Sequence, residues 1–344
     1  VSAAAGHSHR LESIDVLRGF AALWVVLSHY LPHWNDRLES TLVIVPNPWG
    51  VYAVKLFFVI SGFVIFMTLD RCRSVTQFAV LRFSRLYPAY WASMLLVTLA
   101  SVLLFHGTFW PGGFVTNATM FQEFLGFPHL DTVYWSLSVE LAFYLNAAWL
   151  FVLGLHRRPK RIVAVWLLAS CLWALVRPGA GADGHRDLVE RLLVLDYAPY
   201  FAMGIVFFEA LKNGWKPSGV ALIAFAGVTD FLLGGWKAGI VAAMVALIFL
   251  LALRGHLNLL ISRVTLWLGA ISYSTYLVHR NLGYQTLDWL YAHGLPAALA
   301  MPLTIAGALL VAWALTAMVE KPALERIRRL YASLRQSPPL APAR

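Results

Sequence analysis

Residues 50–69 read GVYAVKLFFVISGFVIFMTL, twenty positions with a single charge, Lys55, and no alternation of apolar and polar side chains. About twenty mostly apolar residues are what an α-helix needs to cross roughly 30 Å of hydrocarbon. A membrane β-strand would be shorter and would alternate at period two. In lipid every backbone N–H and C=O must be satisfied within the segment, so a uniform run of this length predicts a spanning helix.

Working outward, apolar runs of similar character fall at 14–32, 85–106, 133–153, 161–177, 192–210, 218–234, 238–253, 264–282 and 296–319. The composition agrees: 60% of the 344 residues are hydrophobic and only 13% are charged, with a mean hydropathy of +0.68. A water-soluble domain carries roughly 25% charged residues because its surface faces water, and a bilayer removes that requirement. The fold class is therefore an all-α polytopic membrane protein, a bundle of about ten transmembrane helices. Residues 1–325 read as one membrane domain, and 326–344 as a basic, then Pro-rich cytoplasmic tail whose first part is an interfacial helix. No internal repeat is visible. The polar N-terminus has no signal core, so the first run reads as a retained span.

The net charge of +10 could suggest nucleic acid, but the basic residues sit in short clusters between apolar runs, where cytoplasmic loops concentrate Lys and Arg. Counted on alternate sides, about nineteen basic residues fall on one side and about six on the other. That asymmetry puts both termini in the cytoplasm. Cys72, in a basic loop, and Cys171, inside a span, are not expected to pair.

Ionisable groups inside spans are costly and mark candidate functional positions. The first run holds Asp15, Arg18 and His29. Eleven residues at 100° bring His29 back to within about 20° of Arg18, roughly 16 Å further along the helix. Arg18 lies towards the cytoplasm and His29 deep on the same stripe, an arrangement that suits a long ligand lying along the helix. Arg82 and Arg85 are i,i+3 neighbours at a cytoplasmic helix end, and paired guanidinium groups match phosphate. Ordinary positive-inside anchoring would explain them equally well. Ser136, Glu140 and Tyr144 share a stripe, and the Glu140 carboxylate needs a partner, for which Arg18, His29 and Lys55 are the candidates. Ser272, Tyr276 and His279 share another face; so close to the outer end, His279 is expected to be solvated. Ser61-Gly62 suits close helix packing.

Several of these stretches together resemble the acyltransferase-3 family of membrane proteins. They are Arg10 to Ala22 (RLESIDVLRGFAA) with His29, Phe57 to Phe63 (FFVISGF), Arg82 to Pro88, Trp135 to Glu140 (WSLSVE), Ser272 to His279 (SYSTYLVH) and Glu320-Lys321-Pro322. They occur in the family's order over nearly the whole chain. The resemblance implies a helical bundle with a channel joining the two sides of a bacterial inner membrane. It also implies transfer of an acyl group, commonly acetyl, from cytoplasmic acyl-CoA to a hydroxyl of a carbohydrate or glycoside. Acyl-CoA would be a donor substrate, with no permanently bound cofactor and no metal. Some relatives carry an additional SGNH-type hydrolase domain, and 344 residues are not expected to hold one beside the bundle, so acceptor handling is expected within the bundle or with partners.

Carried over onto this chain, His29 becomes the catalytic base and Glu140 the carboxylate expected to orient its imidazole. Arg18, Arg82 and Arg85 become the CoA-phosphate ligands. Asp15, Lys55, Ser61, Trp135, Tyr276 and His279 are candidates to line the substrate path. Direct attack of the acceptor on the thioester and a transient acyl-imidazole remain open, with direct transfer preferred. The rival reading is a proton-coupled transporter whose His, Glu and Arg form a relay, although no pair of matching broken helices supports it.

Overall fold

The computed structural model describes residues 2–38, 49–176 and 187–336, and every regular element among them is helical. In chain order these are α1 (Ser2–Leu38), α2 (Trp49–Arg71), α3 (Val75–Leu104), α4 (Pro111–Ala118), α5 (Trp135–Val152), α6 (Pro159–Val176), α7 (Leu188–Leu193), α8 (Ala198–Asn213), α9 (Pro217–Leu253), α10 (Arg263–Ala292), α11 (Ala297–Leu315) and α12 (Lys321–Gln336). Arg177 and Arg186 of the charge count, and 337–344 of the expected tail, lie outside the described residues.

The ten apolar runs map onto helices, 192–210 onto two of them, but among the described residues six helices are long and apolar enough to cross a membrane by length and composition. Two of the runs share α9, and α1, α8 and α10 fall outside that set. At 1.5 Å per residue a straight helix of 37 residues would reach about 55 Å, nearly twice the hydrocarbon thickness. It does not run straight. Gly235 has φ 73° and ψ −170°, a conformation that only glycine adopts without strain. A Cβ placed on Gly239 would lie 3.2 Å from the Phe231 Cβ, a distance that eight residues of continuous helix could not produce. α9 is therefore a hairpin of two antiparallel legs. The run expected at 192–210 is likewise interrupted. Val194 takes a left-handed conformation (φ 54°) and ends α7, and α8 restarts at Ala198 with Pro199 in its first turn.

The bundle inverts the polarity of a soluble protein. Leu103, Trp149, Val165, Leu172, Leu247 and Leu310 are exposed on its perimeter, whereas Ser84, Ser93, Ser138, Ser272, Thr275 and His279 are fully or almost fully buried. Two close helix pairs organise it. α2 meets α8 at Gly62 and Gly204, where an added Cβ would lie 2.2 Å from the Phe201 carbonyl oxygen and 2.0 Å from the Val59 carbonyl oxygen. The packing role expected for Gly62 is thus realised. α1 meets α10 at Gly269, whose Cβ would lie 2.2 Å from the Asp15 carbonyl oxygen. This second contact aligns the helix that carries Asp15, Arg18 and His29 with the helix that carries Tyr276 and His279.

α11 passes into α12 through a π-helical turn, Thr316–Glu320. The interfacial helix expected from residue 326 begins five residues earlier and packs against α3. Cys72 and Cys171 are both free.

Candidate active site

One cavity of about 120 Å³ lies where α1, α2, α3, α5 and α10 converge. Arg18, Ser61, Arg82, Arg85, Glu140 and Tyr276 all line it. Five helices from distant parts of the chain bring these residues together, and no spacing along one helix could have shown that they meet.

The cavity's basic wall is held by identifiable contacts. Arg18 lies 3.5 Å from Asp15 on its own helix, which is where the structure puts Asp15: a partner of the arginine, outside the cavity lining. Arg85 forms an ion pair with Glu320, whose other oxygen accepts from Ser274 at 2.9 Å and from Thr316 at 3.3 Å. The Glu320 carboxylate is almost fully buried, so it fixes the Arg85 guanidinium from behind. Arg82 donates to Thr68 Oγ1 at 3.2 Å and lies over the rings of Phe78 and Tyr144. Its Nε is buried without a hydrogen-bond partner. A guanidinium with a spare N–H beside a cavity is equipped to receive an anion. Arg328 on α12 stands within electrostatic range of Arg82 and Arg85. Sequence reading counted Glu320 and Arg328 only as part of a motif and of a basic tail, because the π turn that swings them towards α3 leaves no mark in hydropathy.

Glu140 sits in the same cavity, but it does not orient His29 as expected. Its Oε1 accepts from Ser61 Oγ at 3.0 Å and from the Tyr144 hydroxyl. Of its three candidate partners, only Arg18 lies within electrostatic reach. Lys55 is engaged elsewhere, 3.6 Å from Asp230 and over the Tyr200 ring, with the Tyr200 hydroxyl donating to the same carboxylate oxygen at 2.5 Å. Lys55 does not line the cavity, because the α2–α8–α9 contact supplies it with a buried counter-charge. Trp135 also stands outside the lining, packed against Phe58 and Tyr197.

Further along α1 and α10 lies a second cluster. The rings of His29 and His279 stand 5.1 Å apart between centroids, with His279 Nε2 3.3 Å from His29 Nδ1. His29 Nδ1 is also 2.9 Å from the Val25 carbonyl oxygen, and His279 Nδ1 is 2.9 Å from that of Tyr276. His279 is completely buried, which overturns the expectation of a solvated ring. α1 covers it, and the Tyr30 hydroxyl donates to its carbonyl at 2.6 Å. Tyr284, not singled out from sequence, stands 6.4 Å from the His29 ring and donates to the His29 carbonyl at 3.1 Å.

Tyr276 belongs to both groups. It lines the cavity, and its ring centroid is 5.7 Å from that of His279. Its hydroxyl is bonded to Ser136 Oγ at 2.6 Å and to the Val133 carbonyl at 2.9 Å. The site is thus a basic cavity and a histidine pair in series, with Tyr276 between them. Among the described residues, no group of three or more His, Cys, Asp or Glu side chains is disposed to hold a metal ion.

An acyltransferase domain model, that of the acyltransferase-3 family, matches residues 11–317. The chain is 28% identical to the acyltransferase MdmB of Streptomyces mycarofaciens, over 93% of each protein. It is 32% identical to nodulation protein 10 of Rhizobium leguminosarum bv. viciae, over 48% of this chain and 51% of that one. It is 23% identical to the peptidoglycan O-acetyltransferase OatA of Listeria monocytogenes, over 78% of this chain and 49% of the longer relative. No solved structure matches. With most of its length inside that domain, the chain belongs to the acyltransferase-3 family and is an acyltransferase of groups other than aminoacyl groups.

Proposed function

We propose that the protein moves an acyl group, acetyl by preference, from cytoplasmic acyl-CoA to a hydroxyl of a carbohydrate or related acceptor. In this reading the bundle has ten spans, with the two legs of α9 counted separately and both termini in the cytoplasm of a bacterium. The observation that carries the proposal is the convergence of Arg18, Arg82 and Arg85 on one cavity, with His29 about 16 Å further along the helix that bears Arg18. That offset is comparable to an extended pantetheine arm. The arginines hold the nucleotide phosphates at the cytoplasmic mouth, and the thioester lies towards the histidine pair.

His29 acts as general base in direct transfer. Its Nε2 takes the proton of the acceptor hydroxyl, and the oxygen attacks the thioester carbonyl. The C–S bond then breaks, and the departing thiolate receives the proton from His29, giving an ester and CoA. A positioned base of this kind supplies roughly 10²–10⁴-fold in rate. Glu140 is a positioning residue that holds Ser61 and Tyr144 in the wall and offsets the charge of Arg18.

The test is calorimetric titration of acetyl-CoA into the protein in nanodiscs, alongside the Arg82→Ala variant, followed by assay of labelled acetyl transfer to a panel of glycosides. Binding that weakens in Arg82→Ala, with release of free CoA on transfer, supports the proposal. Folded protein that binds neither acetyl-CoA, succinyl-CoA nor CoA, yet moves unmodified solute across vesicles, would establish the transporter reading instead.

A further inference from the structure

The proton positions of the histidine pair follow from the atoms around it. A backbone carbonyl only accepts, so the 2.9 Å contact from His29 Nδ1 to the Val25 oxygen requires a hydrogen on that nitrogen. The same argument puts the hydrogen of His279 on its own Nδ1, 2.9 Å from the Tyr276 carbonyl. A neutral imidazole carries one N–H, so His279 Nε2 presents a lone pair, and it is aimed at His29 Nδ1 from 3.3 Å. A charged His279 would instead set an N–H against an N–H, on a ring that is completely buried.

We infer that His279 is a positioning residue for His29, taking the place that sequence reading gave to Glu140. It accepts a share of the Nδ1 hydrogen, which Val25 also holds. The two acceptors keep His29 in one tautomer and one ring orientation, with the Nε2 lone pair free. When Nε2 takes the acceptor's proton, the resulting imidazolium keeps its Nδ1–H bonded to the same two partners, so no ring flip or proton shift accompanies the step. This is the role a carboxylate plays in hydrolase triads, carried out here by a second, neutral imidazole. The His29 environment also includes Tyr30 and, on α10, Arg280 and Tyr284, with Asp131 3.8 Å from Arg280. None of these places a carboxylate on His29 itself.

The inference rests on His29 being the base, and its test separates the two ideas. Protein labelled with ¹⁵N-histidine in nanodiscs reports the tautomer of His29 without any turnover, its signals assigned by their loss in His29→Asn. The expected spectrum shows hydrogen on Nδ1 and none on Nε2. His279→Gln keeps an acceptor oxygen near the old Nε2 position and should preserve that tautomer. His279→Leu should give a mixture in which Nε2–H appears, with transfer reduced about tenfold, the worth of one hydrogen bond, and recovered in His279→Gln. Wild-type His29 protonated at Nε2, or an unchanged tautomer in a folded His279→Leu protein, would overturn the positioning role. Full transfer activity in His29→Ala would instead remove the base assignment and leave the tautomer result standing.

Discussion

At the scale of single residues, the side chains divide by what they have left to offer. Arg85 is committed to Glu320, whereas Arg82 keeps a buried Nε with no partner. Arg82→Ala should therefore weaken acyl-CoA binding roughly ten- to a hundred-fold, the range for hydrogen bonds to a charged group, with little change in the melting temperature. Calorimetry and a thermal melt on the same sample check both halves of this expectation. His29→Ala should abolish transfer while expression and melting temperature stay close to wild type, because the ring keeps some solvent exposure and its loss strands no buried charge. Labelled acetyl transfer to a competent glycoside is the measurement. Glu320→Ala behaves in the opposite way. It leaves Arg85 without its counter-charge and should cost about 3 kcal/mol of stability, the low end for a broken buried pair, since the Arg85 side chain remains 26% exposed. A lower unfolding midpoint in detergent, shared by Glu320→Gln, which keeps the size of the side chain but not its charge, is the expected result.

At the scale of helices, the close pairs decide where the chemistry stands. Gly204→Val would drive a branched side chain into the Val59 carbonyl, 2.0 Å from the position of its Cβ. Overpacking of this kind costs about 1–3 kcal/mol or more, so size-exclusion chromatography should show aggregated or absent protein. Much at this scale was legible in advance. Hydropathy located the ten runs, and helical periodicity put Arg18 and His29 on one stripe and Ser136, Glu140 and Tyr144 on another. Breaks that depend on one backbone conformation were legible only where a gap in hydropathy marks them. The gap between the runs at 218–234 and 238–253 falls where Gly235 turns α9 into a hairpin, but nothing marked Val194, which divides the run at 192–210, or the π turn that presents Glu320 to Arg85. Partners across the bundle were equally hidden. Periodicity says which face a residue occupies, but not which of four or five neighbouring helices covers that face. For that reason Lys55 was assigned to the path when it belongs to Asp230, and His279 was expected in solvent when it is buried against His29.

For the molecule as a whole, the charge asymmetry across the bundle predicts an orientation that can be read directly. In a background lacking Cys72 and Cys171, a cysteine at Leu259, in the connection between α9 and α10, should react with a membrane-impermeant maleimide only after cells are opened. One at Leu125, between α4 and α5, should react on intact spheroplasts. Both side chains are well exposed, so access depends on sidedness rather than burial; labelling of Leu259→Cys in intact spheroplasts would reverse the topology. If the acyl group crosses the bilayer, as proposed, the protein has a further obligation. The Tyr276 ring, pinned by Ser136 and the Val133 carbonyl, stands between the arginine-lined cavity and the histidines. On the proposed route it would stand as a stopper in the resting protein, to be displaced when the donor's arm reaches the histidines. A chain of water running past it from one face to the other would let protons drain down the membrane potential, and every resting copy of the enzyme would then short-circuit the cell.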